Sequence, residues 1–455
     1  MNKALLIGVL ILLGVGALLF RKRRSYYPFK VKSDYIYNLP VNEVVRLKEG
    51  VLTLPSYLDD SYTIFAKVGV KSTFLGNFAH PYLVVKSDRG VFKQYAEYGS
   101  EGIRYLNLSN LFGANKQLKI SGKRLKALDG EVELSFYKNP SLVDKKLLII
   151  APHPDDAEIA AYGLYEKYAK NTFILTLSAG EGGYFTYKEL YPKHEVAKHH
   201  RKKGDLRTWN SLTVPLLAGV DPNHLLNLGY FNDTLEEMFL NKGKEIGSGK
   251  MPTSDVSLFR KHNTNPLVHD MVDGSNWEAV VENIKRVIEH VQPDLILTAH
   301  PYIDSHEDHQ YATLATIEAL EKLGREEGEF LFYTNHYKDA EYYPYGRMGS
   351  IMTLPPKFDA SIYCEGFFSF PLGEEEQLNK IFAFDGMNDL RSTTSYRLWN
   401  RLLANGFTRL REKYLSIEKD YFNRYVRSNE LFFRLPVKEL VNKEENKKKL
   451  WNGTK

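Results

Sequence analysis

The chain has 455 residues, 43% of them hydrophobic and 26% charged, which is the composition of a globular protein too long for one core and divided into about two or three domains. Its net charge of +5 is small and partly gathered into RKRR at 21–24 and NKKKL at 446–450, so nothing resembles the basic stripe of a nucleic-acid binder. A single cysteine, Cys364, excludes an internal disulfide and any cysteine-built zinc cluster.

At the N-terminus, ALLIGVLILLGVGALLF (4–20) runs seventeen residues without a charge, the lower limit for a bilayer span. It meets Arg21, Lys22, Arg23 and Arg24 rather than a small-residue cleavage site, which reads as an uncleaved membrane anchor. Only Lys3 and the amino terminus precede it. The positive-inside rule therefore puts the following domains in the cytoplasm, with the periplasmic or extracellular face as the alternative.

From 25 to 143 the chain shows short alternating or β-branched runs separated by Gly, Asn, Asp and Ser: YTIFAKVGV (62–70), HPYLVVKSD (80–88), GIRYLNLS (102–109) and EVELSFYKN (131–139). This spacing predicts a small antiparallel β-sandwich, serving either as a carbohydrate-binding module or as a spacer.

From Lys145 the rhythm becomes strand, loop, helix. LLIIA (147–151), FILTLSAG (173–180) and PDLILTAH (293–300) suit buried parallel strands, whereas AEIAAYGLYEKYAK (157–170), WEAVVENIKRVIEHV (277–291) and DHQYATLATIEALEKLG (308–324) read as helices. The fold class expected is α/β, a Rossmann-like parallel sheet with helices on both faces, preceded by the sandwich and the membrane helix. GEFLFYTNHY (328–337) adds a strand, and EEEQLNKIFAFDGMNDLRS (374–392) reads as a closing helix. SYRLWNRLLANGF and LREKYLSIEKDYFNRYV suggest terminal helices before a frayed basic end at 442–455. The domains so predicted are 1–24, 25–143, 144–440 and a tail, 441–455.

Two clusters follow two of the strands: APHPDD after LLIIA, and HPYIDSHEDH (300–309) after PDLILTA. Ligands of open α/β sheets bind beyond the carboxyl ends of the strands, so both clusters can share one rim. Imidazoles and carboxylates suit a divalent metal, zinc by default, and three protein ligands leave the open position that hydrolysis needs. The adjacent Asp155 and Asp156 point differently, so one can ligate while the other handles protons. His306 and His309, three apart, share a face or a turn. The bland alternative is a pair of polar turns, with Asp155 or Asp156 capping a helix and Asp304, His306, Asp308 and His309 forming a solvated loop. His300 reads as structural.

The chain resembles the PIG-L/LmbE-type zinc-dependent N-acetylglucosaminyl deacetylases from about Lys145 to Asn400, in APHPDDAE (151–158), SHEDH (305–309) and the turn of LSAGEGG (177–183). The resemblance implies His153, Asp156 and His309 as metal ligands, Asp155 as general base and His306 as the group that stabilises the tetrahedral intermediate if protonated. Asp308 would orient an imidazole. RTWNSLTVPLLAGV (207–220) resembles the segment carrying a substrate-contacting arginine, here Arg207, although Asn210 and Ala218 depart from the pattern. NLGYFND (227–233) resembles the segment around a cleft-lining aspartate, here Asp233. His194, His199 and His200, in the segment 184–203, read as an exposed basic loop. The activity implied is removal of acetyl from an N-acetylamino sugar in an envelope glycoconjugate or polysaccharide. The alternatives are a metalloamidase for another amide or a thiol conjugate, and a catalytically silent carbohydrate-binding protein.

Overall fold

The computed structural model describes residues 27–183, 195–340, 342–390 and 421–453. Residues 4–20, most of the expected terminal helices, and His194 lie outside them. Among the described residues no helix is long and apolar enough to cross a membrane. The chain divides into two compact units: Met1–Lys138 with Tyr337–Ser361, and Asn139–His336 with Ile362–Lys455. The segment Tyr337–Ser361 thus joins the first unit, although the sequence pattern places it within 144–440.

Among the described residues the first unit holds nine strands: β1 (Glu43–Leu47), β2 (Val51–Thr53), β3 (Tyr62–Ser72), β4 (Tyr82–Ser87), β5 (Gly90–Tyr95), β6 (Glu101–Asn107), β7 (Gln117–Lys123), β8 (Leu125–Ala127) and β9 (Gly130–Lys138). They form two antiparallel sheets, β1-β9-β3-β6 with β8 added to β3, and β2-β7-β4-β5. Alternation along the strands sends Ile64, Ala66 and Val68 of the first sheet and Leu83, Val85 and Leu118 of the second into one shared apolar core, as the two inner faces of a sandwich require.

The second unit is built on β10 (Leu147–Ala151), β11 (Thr172–Ser178), β12 (Leu225–Tyr230), β13 (Leu295–Ala299), β14 (Glu329–Tyr333), β15 (Gly366–Pro371) and β16 (Asn429–Pro436), in the order β12-β11-β10-β13-β14-β16-β15. The first five run parallel. All five residues of β10 are buried, so its continuous LLIIA run reflects cover on both faces. The wholly parallel sheet expected from the sequence is corrected to a mixed one, because β16 pairs antiparallel with both β14 and β15.

The helices that matter here are α1 (Asp156–Lys167), α2 (Val196–Thr213), α3 (Trp277–Val291), α4 (Glu307–Leu323) and α5 (Glu374–Gly386). α3 begins where the Asn276 side chain accepts the Ala279 N–H, and α4 ends at Gly324 in the left-handed region. α1 is interrupted at Ala161, whose φ is −147°. The backbone groups exposed there meet a buried ion pair: Lys380 Nζ donates to the Ile159 carbonyl at 3.0 Å and to Glu430 at 2.7 Å, while Glu430 accepts the N–H groups of Gly163 and Leu164 at 3.0 and 2.9 Å. The frayed basic tail is also corrected. Glu444–Asn452 is helical, with Leu450 buried and Lys447 paired to Glu321 at 2.7 Å.

Candidate metal centre

β10 lies between β11 and β13, so its carboxyl end is at a point where the chain leaves the sheet on opposite sides, the usual location for a ligand. His153, Asp155 and Asp156 follow β10 immediately. The segment 300–309 follows β13, and Asn335 and His336 follow β14.

Three side-chain atoms meet here. His153 Nδ1 lies 3.3 Å from Asp156 Oδ2 and 3.2 Å from His309 Nε2, and His309 Nε2 lies 3.1 Å from Asp156 Oδ2. Tetrahedral zinc with bonds of about 2.05 Å requires ligand atoms about 3.3 Å apart, so this triangle fits one ion. The outward nitrogens are held as well. His153 Nε2 is 3.0 Å from Asp308 Oδ2, and His309 Nδ1 is 3.0 Å from Asp304 Oδ2. Such carboxylates fix which imidazole nitrogen is left to bind a metal and raise its basicity. Burial opposes charge on both imidazoles, yet Asp156 and Asp308 push His153 up to about 9, and Asp156 and Asp304 hold His309 well above the ordinary histidine value. Surroundings that draw protons onto buried imidazoles also favour a cation.

Asp155 stands at the N-cap position of α1 but makes no side-chain cap bond. Its carboxylate lies 2.9 Å from Arg207 on α2. Burial pushes Asp155 above the ordinary aspartate value, and Arg207 works against that rise. Arg207 is buried, donates to the Gly180 carbonyl at 2.9 Å, and pairs with Asp389 at 3.3 Å, which also takes Lys203 at 3.0 Å. The arginine read as a substrate contact is thus engaged with the neighbouring acid. Gly180 is required for this approach: its φ is +61°, and a Cβ there would lie 2.5 Å from Arg207 Nη1.

His306 is the N-cap residue of α4, with its ring 4.6 Å from that of His153 and 4.9 Å from that of His309. Burial, reinforced by positive charge on those two neighbours, holds it down to about 3. A bound cation would push the same way. These surroundings oppose the protonated form on which its expected role was conditional and favour a neutral imidazole. Asp233 is exposed, with Oδ1 3.6 Å from His306 Nε2, and its backbone N–H donates to Asp308 at 2.7 Å. Asp308, buried, also accepts the Leu235 N–H at 3.0 Å.

A protein-family model supplies the comparison that this geometry invites. Residues 148–320 match the model described as PIG-L, GlcNAc-PI de-N-acetylase. Over those residues the chain is similar to the PIG-L family. Comparison with curated proteins finds no match. Among solved structures, the chain is similar to the A40926 pseudoaglycone deacetylase, at 16% identity over 64% of this chain and 98% of that one, TM-score 0.33. It is also similar to a deacetylase of teicoplanin biosynthesis, at 16% identity, 64% and 98% coverage and TM-score 0.35. A third is the 4-carboxy-2-hydroxymuconate hydratase of Pseudomonas putida, at 14% identity, 63% and 95% coverage and TM-score 0.33.

Around the matched residues the structure adds Asn335 and His336, which the sequence reading did not single out, and gives several residues it did name different surroundings. Asp304 belongs to no solvated loop: it is buried and accepts N–H groups from His306, His309, Asn335 and, at 3.3 Å, His336. Asn335 donates to Asp156 Oδ1 at 2.8 Å and so leaves Oδ2 facing the imidazoles. His336 presents a ligand atom within 4.8 Å of those of Asp156 and His309, and burial with the nearby His309 holds it near 4. His199 and His200, expected in an exposed loop, are buried on α2, where His200 Nδ1 donates to the Glu181 carbonyl at 2.6 Å. His300 is buried between Phe332 and Phe433, in line with a structural role.

Proposed function

We propose that the PIG-L-like region hydrolyses the acetamido group of an N-acetylamino sugar, releasing acetate and the free amine, and that it does so with a divalent metal, zinc in the first instance. The observation that carries this reading is the triangle of His153 Nδ1, Asp156 Oδ2 and His309 Nε2, each side between 3.1 and 3.3 Å. Asp304 and Asp308 on the outward nitrogens and the PIG-L match support it.

When bound by those three residues, the metal would supply a polarised carbonyl and a water acidified toward neutrality. The chain's own groups account for the remaining steps. Asp155 accepts a proton from the attacking water, and Arg207 at 2.9 Å opposes the effect of burial on its carboxylate. A bond forms between the water oxygen and the carbonyl carbon. His306, neutral, offers an N–H to the oxyanion that develops. Asp155 then passes its proton to the departing nitrogen, the carbon–nitrogen bond breaks, and acetate and amine leave.

The apolar run at 4–20 and the basic RKRR that follows support a membrane-anchored enzyme with its folded units on the cytoplasmic side, facing envelope glycoconjugate precursors. The test of function is acetate release from a panel of N-acetylamino sugars and simple N-acyl amines. Release from the sugars that disappears in Asp155→Asn is expected. Zinc-loaded protein that releases no acetate from any sugar, or that prefers non-sugar amides, would overturn the assignment.

A further inference from the structure

The first unit carries a surface that neither the deacetylase chemistry nor the sandwich core uses. Between β3 and β4 the chain forms a short turn in which Phe74, Leu75 and Phe78 are 78%, 63% and 50% exposed. The rings of Phe74 and Phe78 meet edge to face at 5.3 Å, so these residues form one contiguous apolar tip rather than scattered side chains. The tip is fixed to its surroundings, because Thr73 N–H donates to the Arg124 carbonyl at 3.0 Å and Gly99 N–H to the Gly76 carbonyl at 2.8 Å.

Basic charge flanks it. Lys123 ends β7, Arg124 connects it to β8 and Lys126 lies within β8, where Ser72 pairs with Leu125 and Lys71 with Lys126. Arg124 Nε donates to the His80 carbonyl at 2.9 Å, tying the turn to the far side of the apolar tip. Lys123 and Lys126 are exposed. Apolar and aromatic side chains rimmed by Lys and Arg are the pattern that seats in the headgroup region of an anionic bilayer.

The chain enters this unit beside the same tip. Tyr27, the first described residue, packs on Tyr98 at 6.4 Å and accepts its backbone N–H at 3.3 Å, while Tyr98 Oη lies 2.7 Å from His80 Nε2. Only the six residues 21–26 separate Tyr27 from the apolar run, a reach of at most about 25 Å. We propose that the tip formed by Phe74, Leu75 and Phe78, with Lys123, Arg124 and Lys126 around it, seats in the interface of an anionic bilayer next to the point where the chain leaves the membrane. The proposal rests on reading residues 4–20 as the span. It makes the first unit a second membrane contact, with the tip directed at the lipid surface.

The test uses the full chain, wild type and Phe74→Trp, reconstituted into vesicles of anionic and zwitterionic lipid with and without brominated acyl chains. Flotation with the vesicles reports the anchor, and the added tryptophan, read as the difference from wild type, reports the tip. The expected result is flotation of both proteins and quenching of that difference signal by at least a third, stronger in anionic vesicles. Flotation without quenching overturns the tip proposal and leaves the anchor standing. A blue-shifted but unquenched signal means that protein, not lipid, covers the tip, and overturns it as well. Failure to float removes the anchor reading and this proposal with it. Phe78→Trp, scored the same way, replaces the first variant should that one not fold.

Discussion

Asp304→Asn separates the groups that hold the proposed ligands from the ligands themselves. The two carboxylate oxygens of Asp304 accept four N–H groups, with His309 Nδ1, Asn335 and His336 on Oδ2 and His306 on Oδ1. An asparagine amide has one acceptor oxygen. In its best orientation that oxygen replaces Oδ2, and the NH2 group then faces the His306 N–H. One buried donor is left unpaired, at a cost of about 1–3 kcal/mol of folding stability. His309 also loses its charged partner, and a change of that kind weakens zinc by about 10- to 100-fold, equivalent to roughly 1.4–2.7 kcal/mol. Competition with a chelating dye measures the zinc affinity, and denaturant unfolding in excess chelator measures the metal-free stability. A variant that binds zinc within about twofold of wild type would refute the reasoning, because His309 would then either not ligate or not depend on Asp304.

Asp155→Asn is expected to keep zinc and the fold while lowering turnover by roughly a hundredfold or more, the scale of a lost general base; near-native turnover at saturating substrate removes that role from Asp155. Lys380→Met leaves Glu430 buried with only two backbone donors, and should destabilise the protein by about 3 kcal/mol or more in urea unfolding, with much of the loss recovered in the Lys380→Met/Glu430→Gln double variant. Equal effects in the single and double variants would mean that the ion pair is not what matters there. Desolvation pushes the thiol of the half-buried Cys364 up to about 12, so little of it is thiolate at pH 8. A thiol reagent should therefore react with the native protein at least a hundredfold more slowly than with the unfolded chain, and comparable rates would contradict the burial.

Much of the site was legible because its chemistry is concentrated in short runs at strand ends. LLIIA followed by His153, Asp155 and Asp156, and LILTA followed by 300–309, mark two neighbouring strands by apolar continuity and then by ligand-type side chains. What escaped were single residues whose role depends on tertiary approach. Asn335 and His336 end a strand-like run without any local pattern, and Asp389 meets Arg207 only because the chain following α5 returns to α2. Asp304 was visible but read as one of several loop acids, since sequence does not reveal that four N–H groups converge on it. β15 and β16 were missed for a different reason: GFFSFP and NELFFRLP are buried on nearly every side chain, so neither shows the alternation that separates a strand from a buried helix. The histidines at 199 and 200 were misplaced because their basic neighbours suggested solvent, whereas one face of α2 is buried.

Zinc stoichiometry tests the central claim most directly. Metal analysis of purified wild-type protein and of His153→Ala, Asp156→Ala and His309→Ala, each exchanged into the same zinc-buffered solution, should find about one zinc per chain in the wild type and none bound stoichiometrically in the variants. Full zinc occupancy in all three folded variants would contradict the account.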